Sequence, residues 1–138
     1  MRLELTRRGD YAVRAMLAVA RRGTTEPISG REIAAEMAIP IGFVSHVMVD
    51  LVSAGLVTSV TGRTGGYALA SAPAETSLLA VIEAIEGDSR RTSCVLRGGA
   101  CGDGGHCQVH DVFFDAQDAL LSRLDHVTLA DLVGPRRA

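Results

Sequence analysis

Residues 29–70, SGREIAAEMAIPIGFVSHVMVDLVSAGLVTSVTGRTGGYALA, carry the pattern that decides the fold. Ser29 stands where a helix N-cap belongs, and Glu32, three residues on, completes a capping-box pattern for the short helix GREIAAEM. Ala38-Ile39-Pro40 makes a turn. From about Ile41 to Ala54, Val44, Val47, Met48 and Leu51 form one apolar stripe at helical spacing, and Gly55 ends the run. Two β-rich runs follow, LVTSV and YALA, joined by the turn sequence TGRTGG. Helix, turn, helix and hairpin is the order of a winged helix-turn-helix, so the expected fold class is mainly α with a small β-hairpin.

Upstream, RRGDYAVRAMLAVARR after Thr6 places Tyr11, Ala12, Ala15, Met16 and Val19 at helical spacing, with Gly23 as C-cap and Pro27 as a stop. Downstream, Ser77 caps a helix through LLAVIEAIEG. The stretch from Gly87 to Gly105 is polar and glycine-rich. A long amphipathic helix is expected from about Cys107 to Leu124, and Thr128 caps a short last one, TLADLV. At 138 residues the chain suits one compact domain. It is expected to divide into a winged helix-turn-helix DNA-binding region at 1–71, a helix and cysteine loop at 72–106, and the long helix with a C-terminal helix at 107–138.

Composition narrows the class. With 47% hydrophobic and 22% charged residues the chain should fold, and 4% aromatics make the core aliphatic. No apolar run is long enough for a bilayer, and the charged start MRLELTRRGDY is no signal peptide, so a cytoplasmic protein without a membrane partner is expected. The net charge of −2 conceals an asymmetry: eight arginines face six acids through Arg63, and six face ten thereafter. A basic N-terminal half and an acidic remainder suit a chain that presents one end to double-stranded DNA.

In a helix-turn-helix the first turn of the second helix meets base edges. Here those side chains are Gly42, Phe43, Ser45 and His46, with Arg31 on the preceding helix as a further contact. Phe43 would touch a thymine methyl, or else pack on the wing; His46 would reach bases or stay solvated. Gly62 and Arg63 form the hairpin tip, and an apical Arg between glycines suits a narrow minor groove; the alternative is a solvated turn. No nucleophile–base pairing stands out beyond the cysteines, so an enzyme is not expected.

The sharpest feature is Cys94-x6-Cys101-x5-Cys107 followed by His110. Thiolates are soft ligands for iron–sulfur clusters or zinc. Structural zinc sites usually pair cysteines two to four residues apart, whereas these wide gaps, rich in glycine, fit a loop draped around a larger object. Cys107 and His110, three apart at a helix start, would share a face. Zinc and a regulatory disulfide are the other readings. His106 is expected to point away as an exposed histidine.

Four stretches together resemble the IscR/NsrR-like family of bacterial regulators over nearly the whole chain: MRL…RRGDYAVRAML, GLVTSVTGRTGGYAL, SCVLRGGACGDGGHCQVH and VTLADLV. The resemblance implies a homodimer joined along the long helix, pseudo-palindromic operators, and DNA affinity controlled by a cluster that reports redox, nitric oxide or iron–sulfur status. It also implies a fourth ligand: His110 in the IscR manner with [2Fe–2S], or Asp10 of the other subunit in the NsrR manner with [4Fe–4S]. His110 and [2Fe–2S] rank first. Asp10 also has an ordinary role available, pairing with Arg7, Arg8 or Arg14 on a helix surface. Two rival functions are a cluster-free thiol- or zinc-dependent regulator of the same fold and an iron–sulfur carrier without DNA binding. Cluster binding is expected to order the Gly87–Gly105 stretch and dock it on the first and long helices.

Overall fold

The first helix begins where the chain finds a hydroxyl cap: Thr6 Oγ accepts from the Gly9 N–H at 3.1 Å and opens α1 (Arg7–Ala20). The computed structural model describes residues 1–96 and 105–134. Within them follow α2 (Gly30–Met37), α3 (Ile41–Ser53), β1 (Val57–Val60), β2 (Gly66–Leu69), a 3-10 turn at Pro73–Glu75, α4 (Leu78–Glu86), α5 (His110–His126) and α6 (Leu129–Val133). The architecture is a winged helix-turn-helix with added helices, as the residue pattern implied.

Ser29 caps α2 through the Glu32 N–H at 3.2 Å, but the Glu32 carboxylate turns to the Ser29 hydroxyl, so only half of a capping box forms. Ala38 ends α2 in the left-handed conformation (φ 53°), and the chain bends by 114° into α3, within the range of helix-turn-helix crossings. Gly55 leaves α3 with φ +77°, which lets the Leu56 N–H return to the Leu51 carbonyl at 3.1 Å. Leu56 thereby closes the helix instead of starting the strand, and β1 begins one residue later than LVTSV suggested. The hairpin is antiparallel, Val57 opposite Leu69 and Val60 opposite Gly66. Ile28 adds a bridge to Tyr67 through two backbone bonds of 2.9 and 2.8 Å. Gly66 is required there, since at φ +148° a Cβ would collide with the Ile28 carbonyl.

One aliphatic cluster unites these elements. Met16, Ile28, Ile33, Met48, Leu51 and Leu129 are fully buried within it, joined by Val81 of α4. α1 is the hub, packing against α2, α3, α4 and α6. Ser77 caps α4 and Thr128 caps α6 in a full capping box with Asp131; Leu78 N–H to Val127 O (2.8 Å) and Leu129 N–H to Thr76 O (2.9 Å) pin the two helix starts together.

α5 differs from expectation at its start. Cys107 lies ahead of the helix in a turn, its carbonyl accepting from the His110 N–H at 3.1 Å, and Val109 at the N-cap offers no side-chain acceptor. No residue of this 17-residue helix is buried. Among the described residues no single helix is long and apolar enough to cross a membrane.

Candidate nucleic-acid interface and cysteine site

The helix α3 buries Val44, Val47, Met48 and Leu51 and turns Gly42, Phe43, Ser45 and His46 outward, which follows from the 3.6-residue period. Phe43 packs against α1. Its ring meets Tyr11 of α1 edge to face at 5.3 Å while 39% of the residue stays exposed. Tyr11 in turn carries the Arg14 guanidinium over its face at 5.5 Å. Arg8 closes an ion pair with Asp50 at the other end of α3. The outward face of α3 is thus braced twice from α1. Neither brace was visible in the sequence, although Tyr11 stood on the helix stripe.

The arginines separate into two sets. Arg8, Arg14, Arg21 and Arg22 are engaged by Asp50, Asp10, Glu36 and Glu32; Arg22 lies 2.6 Å from Glu36, a hydrogen bond that raises its pKa and ties α1 to α2. Arg31 and Arg63 are exposed and make no ion pair among the described residues. Arg63 sits at the wing tip next to Gly62 (φ +105°), and a Cβ at Gly65 would strike the Val60 carbonyl. The tight turn and an unneutralised guanidinium are what insertion into a groove needs.

Thirteen residues apart in sequence, the Cys94 and Cys107 sulfurs meet at 3.9 Å, Cys94 almost fully buried at 3% exposure and Cys107 half-buried. Cys101 lies outside the described residues. A clamp on α5 places Cys94. Gln117 accepts from the Arg91 N–H at 2.6 Å and donates to the Arg91 carbonyl at 3.2 Å. Arg90 pairs with Asp118 at 2.6 Å, and the Arg91 guanidinium donates to the Cys94 carbonyl at 3.0 Å. The first part of the cysteine loop is therefore held on α5 by polar contacts. The stretch has few apolar residues, and Gln117 and Asp118 of α5 supply polar contacts to its Arg90 and Arg91.

His110 stacks between two rings. His106 lies at 3.5 Å, nearly parallel, and Phe114 at 4.1 Å on the other side. His106 therefore does not turn away, though it is exposed. His106 precedes α5, so helical spacing carried no signal for this contact; the turn at Cys107 brings the two rings together. Asp10, the other fourth-ligand candidate, gives both carboxylate oxygens to Arg14 at 2.7 and 2.6 Å. That hydrogen bond holds its carboxyl below the usual range near 3.8. Arg14 also donates to the Met37 carbonyl at 3.1 Å, so the pair joins α1 to the end of α2.

Beside this site, an apolar groove of about 1040 Å³ runs between the N-terminal segment, α4 and α5, lined by Leu3, Leu5, Ile82, Leu96, Phe113 and Leu120 among others. Val112 and Phe113 of α5 remain 68% and 38% exposed.

Residues 5–135 match the Rrf2 family model, described as an iron-dependent transcriptional regulator. An rrf2-like HTH-type transcriptional regulator of Rhodobacter capsulatus is 31% identical, covering 94% of this chain and 91% of its own. The HTH-type transcriptional regulator IscR of Enterobacter sp. is 34% identical over 95% of this chain and 80% of its own. Among solved structures, CymR, the global cysteine regulator of B. subtilis, superposes with a TM-score of 0.84 at 25% identity, covering 96% and 97% of the two chains. T. potens IscR does so with a TM-score of 0.74 at 27% identity, covering 95% and 86%.

Proposed function

Since this chain belongs to the Rrf2 family of DNA-binding transcription regulators, which are not enzymes, we propose that its operator affinity is governed by an iron–sulfur cluster on Cys94, Cys101 and Cys107. The observation that carries this reading is the approach of the Cys94 and Cys107 sulfurs to 3.9 Å. Two thiolates on one tetrahedral metal at a bond length of ~2.3 Å stand ~3.8 Å apart. That separation suits two ligands of a single iron, as in a [2Fe–2S] centre, better than a [4Fe–4S] centre whose irons each take one thiolate. His110 is the preferred fourth ligand, because Asp10 would first have to leave Arg14.

When bound, the cluster supplies a centre sensitive to redox state, nitric oxide or iron–sulfur supply. The chain's own residues do the rest. The Gln117–Arg91 clamp fixes Cys94 on α5, and the Tyr11 and Arg8 braces hold α3 toward the major groove with Phe43, Ser45 and His46 at base edges. Arg63 and Gly62 enter the minor groove, and Arg31 meets phosphate. A cytoplasmic homodimer along α5 accounts for a helix ~25 Å long with no buried residue of its own. Its geometry would set the separation of the two α3 helices against half-sites ~34–36 Å apart.

A second reading, a cluster-free thiol regulator, is favoured by the same sulfur pair: hydrogen peroxide would accept two electrons and the two thiol protons, its O–O bond breaking to give two waters as a Cys94–Cys107 bond forms. Anaerobic purification with iron, sulfide and absorption measurements decides between them, applied to wild type, Asp10→Ala and His110→Ala. A coloured protein with iron and inorganic sulfide that His110→Ala alone loses is expected. A colourless protein whose operator shift responds to peroxide overturns the cluster.

A further inference from the structure

We propose that the start of α5 carries a mononuclear cation site, distinct from the cysteine set, built from His106, His110 and Asp111. One ligand atom from each of these residues lies within 4.8 Å of the others. Donors at ~2.0–2.1 Å from a tetrahedral ion stand ~3.3 Å apart, so three donors held within that limit need side-chain adjustment but no backbone movement to share one ion. Two imidazoles and a carboxylate are the donor set of a borderline first-row cation such as zinc or cobalt; calcium and magnesium ask for oxygen alone.

The local backbone explains why the three residues meet. The Cys107–His110 turn brings His106 back over the first helical turn, so a residue outside the helix stacks on one inside it, with ring centroids 3.5 Å apart. Phe114 closes the far side of His110 at 4.1 Å and limits how that ring can turn. Asp111, the next residue, contributes the acidic charge of the first turn. His106 and Asp111 are exposed and His110 is half-buried, so an ion reaches the site from solvent and keeps water in its remaining positions. Binding requires the two rings to turn toward a common point, at the cost of the stack.

The site shares His110 with the proposed cluster ligands but does not rest on the cluster. The test uses the full-length protein freed of iron by chelation and titrated anaerobically with cobalt(II). The Cys94→Ser/Cys101→Ser/Cys107→Ser variant, which lacks the thiolates that would themselves take cobalt, should bind one ion with visible d–d bands and no sulfur charge-transfer band. In that background His106→Ala, which removes none of the proposed cluster ligands, should weaken binding about a hundredfold, at the upper end of what losing even an outer-shell partner costs. Equal binding with and without His106→Ala in the serine background overturns the proposal. So does the absence of cobalt binding to the serine variant at millimolar cobalt. Cluster reconstitution in His106→Ala, followed separately by absorbance, reports on the cluster alone.

Discussion

Tyr11 and Phe43 form an edge-to-face pair, 5.3 Å between ring centroids, that joins the helix α1 to the outward face of α3. Such a pair contributes about 0.5–1.5 kcal/mol beyond its burial. A double-mutant cycle of Tyr11→Leu and Phe43→Leu in urea unfolding should return a coupling in that range. Tyr11→Leu should also weaken operator binding without touching DNA, because it releases Phe43. A coupling indistinguishable from zero would reduce the pair to simple proximity.

Glu86, the last residue of α4, accepts from the Thr6 N–H at 3.1 Å and from its hydroxyl at 3.2 Å, and a Cβ on Gly9 would collide with that carboxylate. Gly9→Ala should therefore destabilise the protein by about 1 kcal/mol, through loss of two exposed hydrogen bonds. In a Glu86→Ala background the collision disappears. There Gly9→Ala should stabilise by about 0.5–1 kcal/mol, the ordinary helix preference for alanine. Thermal unfolding of the four proteins checks the change of sign.

Arg14 lowers the Asp10 carboxyl, so the sign of the pH effect follows. A depressed folded-state value gives stability that is present above the unfolded value near 3.8 and is lost as pH falls through the folded one. The pair is partly exposed, and its contribution should stay below about 1 kcal/mol. Urea midpoints of wild type and Asp10→Asn should differ at pH 7 and converge below the usual aspartate range. A difference that persists at pH 2 would assign the effect to something other than charge.

Arg63 and Arg31 carry charge that no acid neutralises among the described residues, whereas Arg22 is held by Glu32 and Glu36. Arg63→Ala should reduce the slope of log K against log salt by about 0.9 per operator half-site, and Arg31→Ala likewise. Arg22→Ala should leave the slope unchanged and lower stability. Shift assays across a salt series separate the outcomes.

The Gln117 amide holds both backbone groups of Arg91. Gln117→Ala should speed hydrogen exchange of residues 89–94 and slow cluster reconstitution, with a change in global stability within about 0.5 kcal/mol because the site is exposed. Unaltered exchange would show that Arg90–Asp118 alone retains the loop.

The sequence by itself determined the local elements. Ser29, Ser77 and Thr128 are caps whose hydroxyls bond amides three residues away, Gly55 ends α3, and Val44, Val47 and Leu51 define a buried stripe by period alone. Those relations span a few residues, and backbone sterics and hydrogen bonding settle them wherever the segment lies. The outward position of Gly42, Phe43, Ser45 and His46 follows from the same period. Tertiary structure decided what those residues meet. Nothing within α3 places Phe43 on Tyr11, and nothing near Cys94 foretells that Gln117 clamps its loop, since both depend on helices packed from distant parts of the chain. The meeting of the Cys94 and Cys107 sulfurs across 13 residues belongs to that second kind. The turn from Cys107 to His110 stands between the two: it is local, but it starts α5 only at His110 and leaves His106 stacked on His110.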